Sequence, residues 1–321
     1  MRVAISGGAG YLGALTAAEA RAAGHEVRVL DSLIHGQREV AEKLAAEGVE
    51  VIEGDVRDAE MQAALLADAD AFVHLAAIVG DPACARDPEL AVEVNIEASR
   101  ALFAAAKELG VERVVFASTC SNYGRMSDPT TPITEDGVLA PVSLYAEHKV
   151  EMEKMLLAGD LGATCLRFAT LYGAAPRMRF DLTVNEFTRE LWADNELEIF
   201  GELFWRPYVH VADAARAIRI VLEAPREQIA GEVFNVGHSE ENYRKLDLAE
   251  IITERVPRGE ISYVHRDEDP RDYKVGFEKI RDTLGFEPRM RVPDGVDEIA
   301  TALDDKRFGD PFAPVHANVP Q

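Results

Sequence analysis

Arg2-Val-Ala-Ile-Ser6-Gly7-Gly-Ala-Gly10-Tyr11-Leu12-Gly13 decides how the rest of the chain is read. Its first five residues form a short, largely apolar run, which predicts a buried strand. Ala14 to Ala23 has helical composition. Strand, glycine turn and helix in that order give the glycines a physical purpose. They permit a tight turn and let the backbone approach a pyrophosphate, whose charge then rests on the helix N-terminus. Gly7, Gly10 and Gly13, with Tyr11 and Leu12 between them, are therefore candidate cofactor contacts.

A second strand, Glu26 to Leu30, ends at Asp31. A carboxylate there accepts hydrogen bonds from an adenosine ribose and repels a 2′-phosphate, which favours NAD over NADP. Arg28 and Arg38 stand close by in sequence and keep NADP open. Helix-like Glu39 to Glu47, strand Glu50 to Glu53, helix-like Ala59 to Ala67 and strand Ala71 to Leu75 continue the alternation. Helix-like Leu90 to Leu109 and strand Arg113 to Ala117 follow. Such alternation implies an α/β protein whose parallel sheet is covered on both faces. Asp55 and Val56 are then placed for the adenine end of a dinucleotide, and the Leu75-Ala76-Ala77 run after His74 for its nicotinamide half.

Tyr145-Ala-Glu-His-Lys149 puts a phenol and an ammonium one helical turn apart on one face. A nearby ammonium favours phenolate, which makes a general base for an alcohol proton. Upstream, Ser118-Thr119-Cys120-Ser121-Asn122-Tyr123-Gly124 leaves a strand at its C-terminal end, where ligands bind in such sheets. A loop from Ser127 to Pro141 separates that segment from the Tyr145 helix, and strand Ala163 to Ala169 comes after it.

With these residues in view, the chain resembles the extended short-chain dehydrogenases/reductases of the NAD-dependent epimerase/dehydratase family, which act on nucleotide sugars. Gly7, Gly10 and Gly13 match the family's GxxGxxG, Asp31 its acidic residue, and Tyr145 and Lys149 its YxxxK. Counting back from Tyr123, the family's Ser/Thr falls on Thr119. The resemblance implies a Rossmann-type doubly wound parallel sheet with a smaller C-terminal α/β substrate domain. It implies that Tyr145 is the base, that Lys149 lowers its pKa and holds the nicotinamide ribose, and that Thr119 orients a substrate hydroxyl. Arg167-Phe-Ala-Thr170-Leu-Tyr172-Gly173 is similar to the family's RFxNxYG with Thr170 in place of Asn, so that contact to a substrate diphosphate is altered. Arg177, Arg179 and Asn185 follow, and Arg179 and Asn185 join Cys120, Ser121 and Thr170 as candidate substrate contacts. Relatives place arginines on the diphosphate near Arg206 and near Arg271, the latter in Asp269-Pro-Arg271.

Relatives that eliminate water carry Thr-Asp-Glu where this chain has Thr119-Cys120-Ser121. Ser121 cannot serve as a carboxylate base, which disfavours dehydration. Cys120 reads either as a proton donor or as a buried structural thiol. The reading is an NAD-dependent nucleotide-sugar epimerase, acting at C4 through a 4-keto sugar. A keto-sugar reductase or dehydrogenase, a dehydratase, and a non-catalytic NAD-binding sensor are the alternatives. The expected organisation is a cofactor domain over 1–173 with 208–237 returning to it, a substrate domain over 174–207 and 238–303, and a loosely held tail over 304–321.

A net charge of −23 over 321 residues, with no Lys/Arg-rich run, excludes a nucleic-acid partner. Cys84, Cys120 and Cys165 lack CxxC spacing, and the histidines form no HExxH, so neither disulfides nor a metal are expected. No signal-like or membrane-length apolar run appears, which predicts a cytoplasmic protein. Apolar residues at helical spacing, among them Met152, Met155 and Leu156, predict a homodimer through the Leu90–Leu109 and Ser143–Leu157 helices, as in relatives.

Overall fold

The computed structural model describes residues 1–126, 131–264 and 271–318. Ser127 to Thr130 of the expected loop, the Asp269-Pro270 step and the last three tail residues lie outside them. The chain begins with β1 (Arg2–Ser6), α1 (Tyr11–Ala22), β2 (Glu26–Asp31), α2 (Arg38–Ala46), β3 (Glu50–Glu53) and α3 (Ala59–Leu66). It continues through β4 (Ala71–His74), α4 (Asp81–Arg86), α5 (Pro88–Val92), α6 (Ser99–Glu108), β5 (Arg113–Thr119), α7 (Leu144–Ala158) and β6 (Thr164–Phe168). Then come β7 (Thr170–Tyr172), α8 (Thr183–Trp192), β8 (Glu196–Phe200), β9 (Trp205–His210), α9 (Val211–Glu223), α10 (Arg226–Ile229) and β10 (Val233–Val236). The last elements are β11 (Asn242–Arg244), α11 (Lys245–Arg255), β12 (Glu260–Val264), α12 (Glu278–Leu284) and α13 (Val292–Asp304).

Seven parallel strands in the order β10-β6-β5-β4-β1-β2-β3 form the central sheet. Its strands are apolar on both faces because helices cover both. Ala14, Ala17, Leu44, Ala214 and Ile218 pack on one side, and Leu65, Leu102, Phe103, Met152 and Leu156 on the other. The strand order reverses between β1 and β4, which opens a crevice at their carboxyl ends. Beside it stand the small sheets β11-β9-β7 and β12-β8, closed by Val184, Leu191, Leu248, Ile252 and Val296 from helices α8, α11 and α13.

Two differences from the sequence reading have physical causes. The expected Leu90–Leu109 helix is broken by a π-helical turn over Glu93–Ala98. There Asn95 turns its amide onto Ile78, accepting from the backbone N–H at 2.8 Å and donating to the carbonyl at 3.0 Å, and Ser99 Oγ donates to the Val94 carbonyl. Helix α13 ends at Asp304, where the tail was expected to begin, with Ile299 and Leu303 buried among Val211 and Met178. The tail, expected to be loosely held, packs on the body: the Phe308 and His316 rings meet Phe180 edge-on at 5.5 and 5.6 Å.

Candidate active site

The crevice widens into a cavity of about 410 Å³ that runs from the glycine turn to the start of α7. Its first end is built by close backbone contacts. Gly7 has φ +74°, and a Cβ there would stand 2.8 Å from the Ala76 nitrogen. A Cβ on Gly13 would lie 2.0 Å from the Gly7 oxygen, whereas one on Gly10 would meet only that oxygen, at 3.1 Å. Gly10 caps α1 without any side-chain hydrogen bond, so the first N–H groups of the helix are left to face the cavity. A glycine cradle with an uncapped helix N-terminus fits a dinucleotide pyrophosphate. Tyr11, Leu12, Asp55, Val56, Leu75, Ala76 and Ala77 line the same end.

Asp31 closes β2 at the cavity wall. Its carboxylate accepts from the Ala9 and Leu33 N–H groups, each at 2.9 Å, and from Gln37 Nε2 at 3.1 Å. Burial pushes its pKa up while those backbone donors hold it down. Arg28 and Arg38, the sequence argument for NADP, pair instead with Glu50 and Glu53, each at 2.7 Å, and do not reach the cavity. His74 is locked between Ser6 Oγ at 2.7 Å and Ser99 Oγ at 2.8 Å, and burial depresses its pKa to about 3. It is therefore a neutral tie inside the sheet.

Thr119, Tyr145 and Lys149 all line the cavity, with Lys149 Nζ 5.7 Å from the centre of the Tyr145 ring. Helix α7 starts at Ser143, whose hydroxyl accepts from the Ala146 N–H, and so sets Tyr145 in the first turn. Lys149 Nζ donates to the Ala117 carbonyl at 2.8 Å and lies 4.7 Å from the centre of the Phe116 ring. Burial lowers the Lys149 pKa to about 8. The Tyr145 phenol differs from expectation: burial raises its pKa well above the ordinary range, and Arg179 only partly opposes this. Loss of solvent around the phenol outweighs an ammonium that is directed at Ala117.

Thr119 ends β5 and caps the single helical turn Cys120–Tyr123, its Oγ1 accepting from the Ser121 N–H at 3.1 Å. Ser121 faces the cavity, with Oγ 3.2 Å from the Tyr273 hydroxyl. Of its two readings Cys120 follows the structural one: its Sγ is buried, donates to the Arg167 carbonyl, and has its pKa raised well above a normal thiol by burial.

Below this turn lies a buried ionic network. Glu153 stands two turns beyond Tyr145 on the same helix face and pairs with Arg167 of β6 at 2.7 Å, the two side chains only 1% and 4% exposed. Glu153 also accepts from Ser118 Oγ and from Asn122 Nδ2. Arg167 continues to the Tyr123 hydroxyl at 2.9 Å, and Tyr123 to Asn235 Oδ1 at 2.7 Å. Helix α7, the Thr119 turn and strands β5, β6 and β10 are thereby tied together.

Thr170, Arg179 and Arg271 also line the cavity. Arg179 pairs with Asp181 at 2.7 Å and Arg271 with Asp81 at 2.9 Å. Two residues expected here do not line the cavity. Asn185 is fully buried and saturated, accepting from Gly173 N–H at 2.9 Å and donating to the Arg179 carbonyl at 2.8 Å and the Tyr11 hydroxyl at 3.1 Å. Arg206 donates to its neighbour's Trp205 carbonyl at 2.7 Å, and its guanidinium lies 5.4 Å from the Tyr273 ring, behind that wall. Arg206 was placed by resemblance and Asn185 by its position along the chain, and neither registers which way a side chain turns.

The sequence reading missed Tyr273, Asp81, Glu153 and Asn318, and left Arg177 without a role. Glu153 had a signal, since it continues the Tyr145–Lys149 stripe at helical spacing. The others reach the site from distant loops. Among the described residues no group of three or more His, Cys, Asp or Glu side chains is placed to hold a metal ion. No described helix is long and apolar enough to cross a membrane.

Comparison with known proteins agrees with this geometry. A UDP-glucose 4-epimerase of Lacticaseibacillus casei is 30% identical over 328 aligned positions, spanning 93% of this chain and 94% of that protein. The structure of UDP-glucose 4-epimerase with UDP-glucose from Thermotoga maritima superposes with a TM-score of 0.86 at 26% identity, covering 96% of this chain and 100% of that one. A dTDP-glucose 4,6-dehydratase from Streptomyces venezuelae, solved with NAD, gives 0.86 at 27% identity, with 97% and 99% covered. The sequence profile of the NAD dependent epimerase/dehydratase family matches residues 3–237, and the chain belongs to that family.

Proposed function

We propose that the protein is an NAD-dependent nucleotide-sugar epimerase that inverts C4 through a transient 4-keto sugar. One observation carries the choice within the family. Among the described residues lining the cavity the only carboxylates are Asp31 and Asp55, both at the cofactor end. Elimination of water from C5 and C6 needs a carboxylate near the sugar, and here Ser121 and the inward-turned Cys120 take those positions. Relatives named UDP-glucose 4-epimerase, and neighbours solved with NAD or UDP-glucose, support the same reading.

In this mechanism Gly7, Gly10, Gly13 and Asp31 hold the dinucleotide, and Arg179 and Arg271 meet the diphosphate of the sugar nucleotide. The dinucleotide, when bound, supplies the site that takes the C4 hydride and returns it to the opposite face. Tyr145 Oη accepts the C4 hydroxyl proton and later gives it back. Lys149 and Arg179 offset the phenolate charge, which burial alone disfavours. Thr119 Oγ1 fixes the hydroxyl that reacts, and Glu153 and Arg167 fix the turn that carries Thr119. The cofactor is handled mainly by 1–173 and 208–237, and the substrate mainly by 174–207 and 238–303.

A homodimer through α6 and α7 in the cytoplasm belongs to the same proposal and rests on the family resemblance. Met152 and Leu156 do not supply its interface, because they are buried within the protomer at 0% and 3% exposure. Light scattering should give about twice 35.2 kDa. The activity is tested by incubating the enzyme with a panel of nucleotide hexoses and weighing the products. An isomer of unchanged mass supports the epimerase, whereas a product lighter by one water identifies a dehydratase.

A further inference from the structure

Arg177 lines the cavity, is 4% exposed, and has no carboxylate within ion-pair distance among the described residues. Its hydrogen bonds go to neutral acceptors on the C-terminal segment: Nη1 donates to Asn318 Oδ1 at 2.8 Å and Nη2 to the Ala317 carbonyl at 3.2 Å. Its Nε is buried without a partner. The neighbouring carboxylates are already engaged. Asp31 is held by Ala9, Leu33 and Gln37, and Asp181 by Arg179 and by the Asn318 N–H. A buried guanidinium without a counter-ion is costly, and a cavity wall is where a ligand anion relieves that cost.

The segment that grips Arg177 is itself well anchored. Phe180 N–H donates to the His316 carbonyl at 2.8 Å, and Arg189 lies 4.5 Å from the centre of the Phe312 ring. Asn318 also lines the cavity and reaches across to the Val79 carbonyl, donating from Nδ2 at 3.3 Å. Val79 precedes Gly80 and Asp81 of the loop that Arg271 meets from the substrate side.

We propose that residues 313–318 form a strap that completes the dinucleotide site, fixing Arg177 against a cofactor phosphate oxygen and laying Asn318 over the bound cofactor. This rests on the cofactor reading above and extends it to residues outside the Rossmann motifs. A strapped cofactor leaves slowly, which suits a reaction that regenerates its own NAD⁺ in each cycle.

Calorimetry and stopped-flow displacement on the full-length apo-protein test it, with NAD⁺, NADP⁺, ADP and adenosine as probes. Arg177→Met should weaken NAD⁺ and ADP by about 10- to 100-fold, the range of a charge-assisted hydrogen bond, and leave adenosine unchanged. Asn318→Ala, which keeps the arginine, should speed NAD⁺ release by about tenfold at unchanged melting temperature. A chain ending at Phe312 should show both effects. Wild-type affinity and release in all three variants would overturn the strap while leaving the cofactor site intact. Tighter wild-type binding of NADP⁺ would overturn it in another way, by giving Arg177 to a 2′-phosphate. Failure of the wild type to bind NAD⁺ or ADP would instead overturn the cofactor reading.

Discussion

Lys149 Nζ lies 5.7 Å from the centre of the Tyr145 ring, one turn along the same helix. The ammonium is buried, and its pKa falls from 10.5 to about 8. Between these values the unfolded chain keeps a proton that the folded chain has lost, so this group makes stability rise with pH across that window. Function follows the opposite sign, because the charge that favours the Tyr145 phenolate is present below about pH 8 and lost above it. We expect kcat to fall as pH rises through that point. Lys149→Met should lower kcat by about 10²-fold and abolish that limb of the profile.

Two glycines of the turn separate folding from cofactor binding. Gly10→Ala places its methyl against a single oxygen, Gly7 O at 3.1 Å, with the cavity beyond. It should fold with a near-normal melting temperature and lose NAD⁺ affinity by more than about tenfold. Gly13→Ala collides with Gly7 O at 2.0 Å and should lower the melting temperature itself. Thermal melts beside NAD⁺ titrations distinguish the two.

Arg271 and Asp81 should have opposite effects on substrate affinity. Arg271→Ala removes the cation assigned to the diphosphate and should raise KM by at least about tenfold with little change in kcat. Asp81→Asn removes the carboxylate that occupies that guanidinium at 2.9 Å and should lower KM. Arg206→Ala acts on the packing of Tyr273 instead, so it should change KM less than Arg271→Ala. Unchanged KM in both Arg271→Ala and Asp81→Asn would place the diphosphate elsewhere.

The buried pair under the Thr119 turn is a stability element. Arg167→Met leaves the Glu153 carboxyl, 1% exposed, without its cation, which should cost about 3–5 kcal/mol in denaturant unfolding. Glu153→Gln keeps the shape and neutralises the orphan risk on one side only, so its loss should be smaller than that of Glu153→Ala.

Local chemistry made much of this legible. A strand–glycine–helix turn, an acid at the end of β2 and two residues one helical turn apart are short-range patterns, and their spacing carries their geometry. The π-turn at Glu93–Ala98 was invisible, because shifting a hydrogen bond by one residue leaves composition and periodicity almost unchanged. Asn185 was placed in the right neighbourhood but turns away from the cavity, which position along the chain does not encode. Tyr273 and Asn318 join the site through contacts with residues far away in sequence, such as Ser121 and Val79. No window along the chain contains that information.

Tyr145→Phe keeps the ring and its packing and removes the proton acceptor. The expected loss in kcat is about 10²–10⁴-fold, toward the upper end, with NAD⁺ affinity little changed. Near-normal turnover would remove Tyr145 from the chemistry.

The fate of the C4 hydrogen tests the central claim most directly. The nucleotide hexose that the enzyme turns over, carrying deuterium at C4, is incubated with enzyme and NAD⁺, and the product is followed by mass spectrometry, NMR and absorbance at about 340 nm, where the reduced nicotinamide of a two-electron hydride acceptor absorbs. The account predicts the C4 epimer at unchanged mass, with deuterium still at C4 and no net rise in absorbance. Stoichiometric NADH, a product lighter by one water, or an isomer whose C4 deuterium has exchanged with solvent would contradict it.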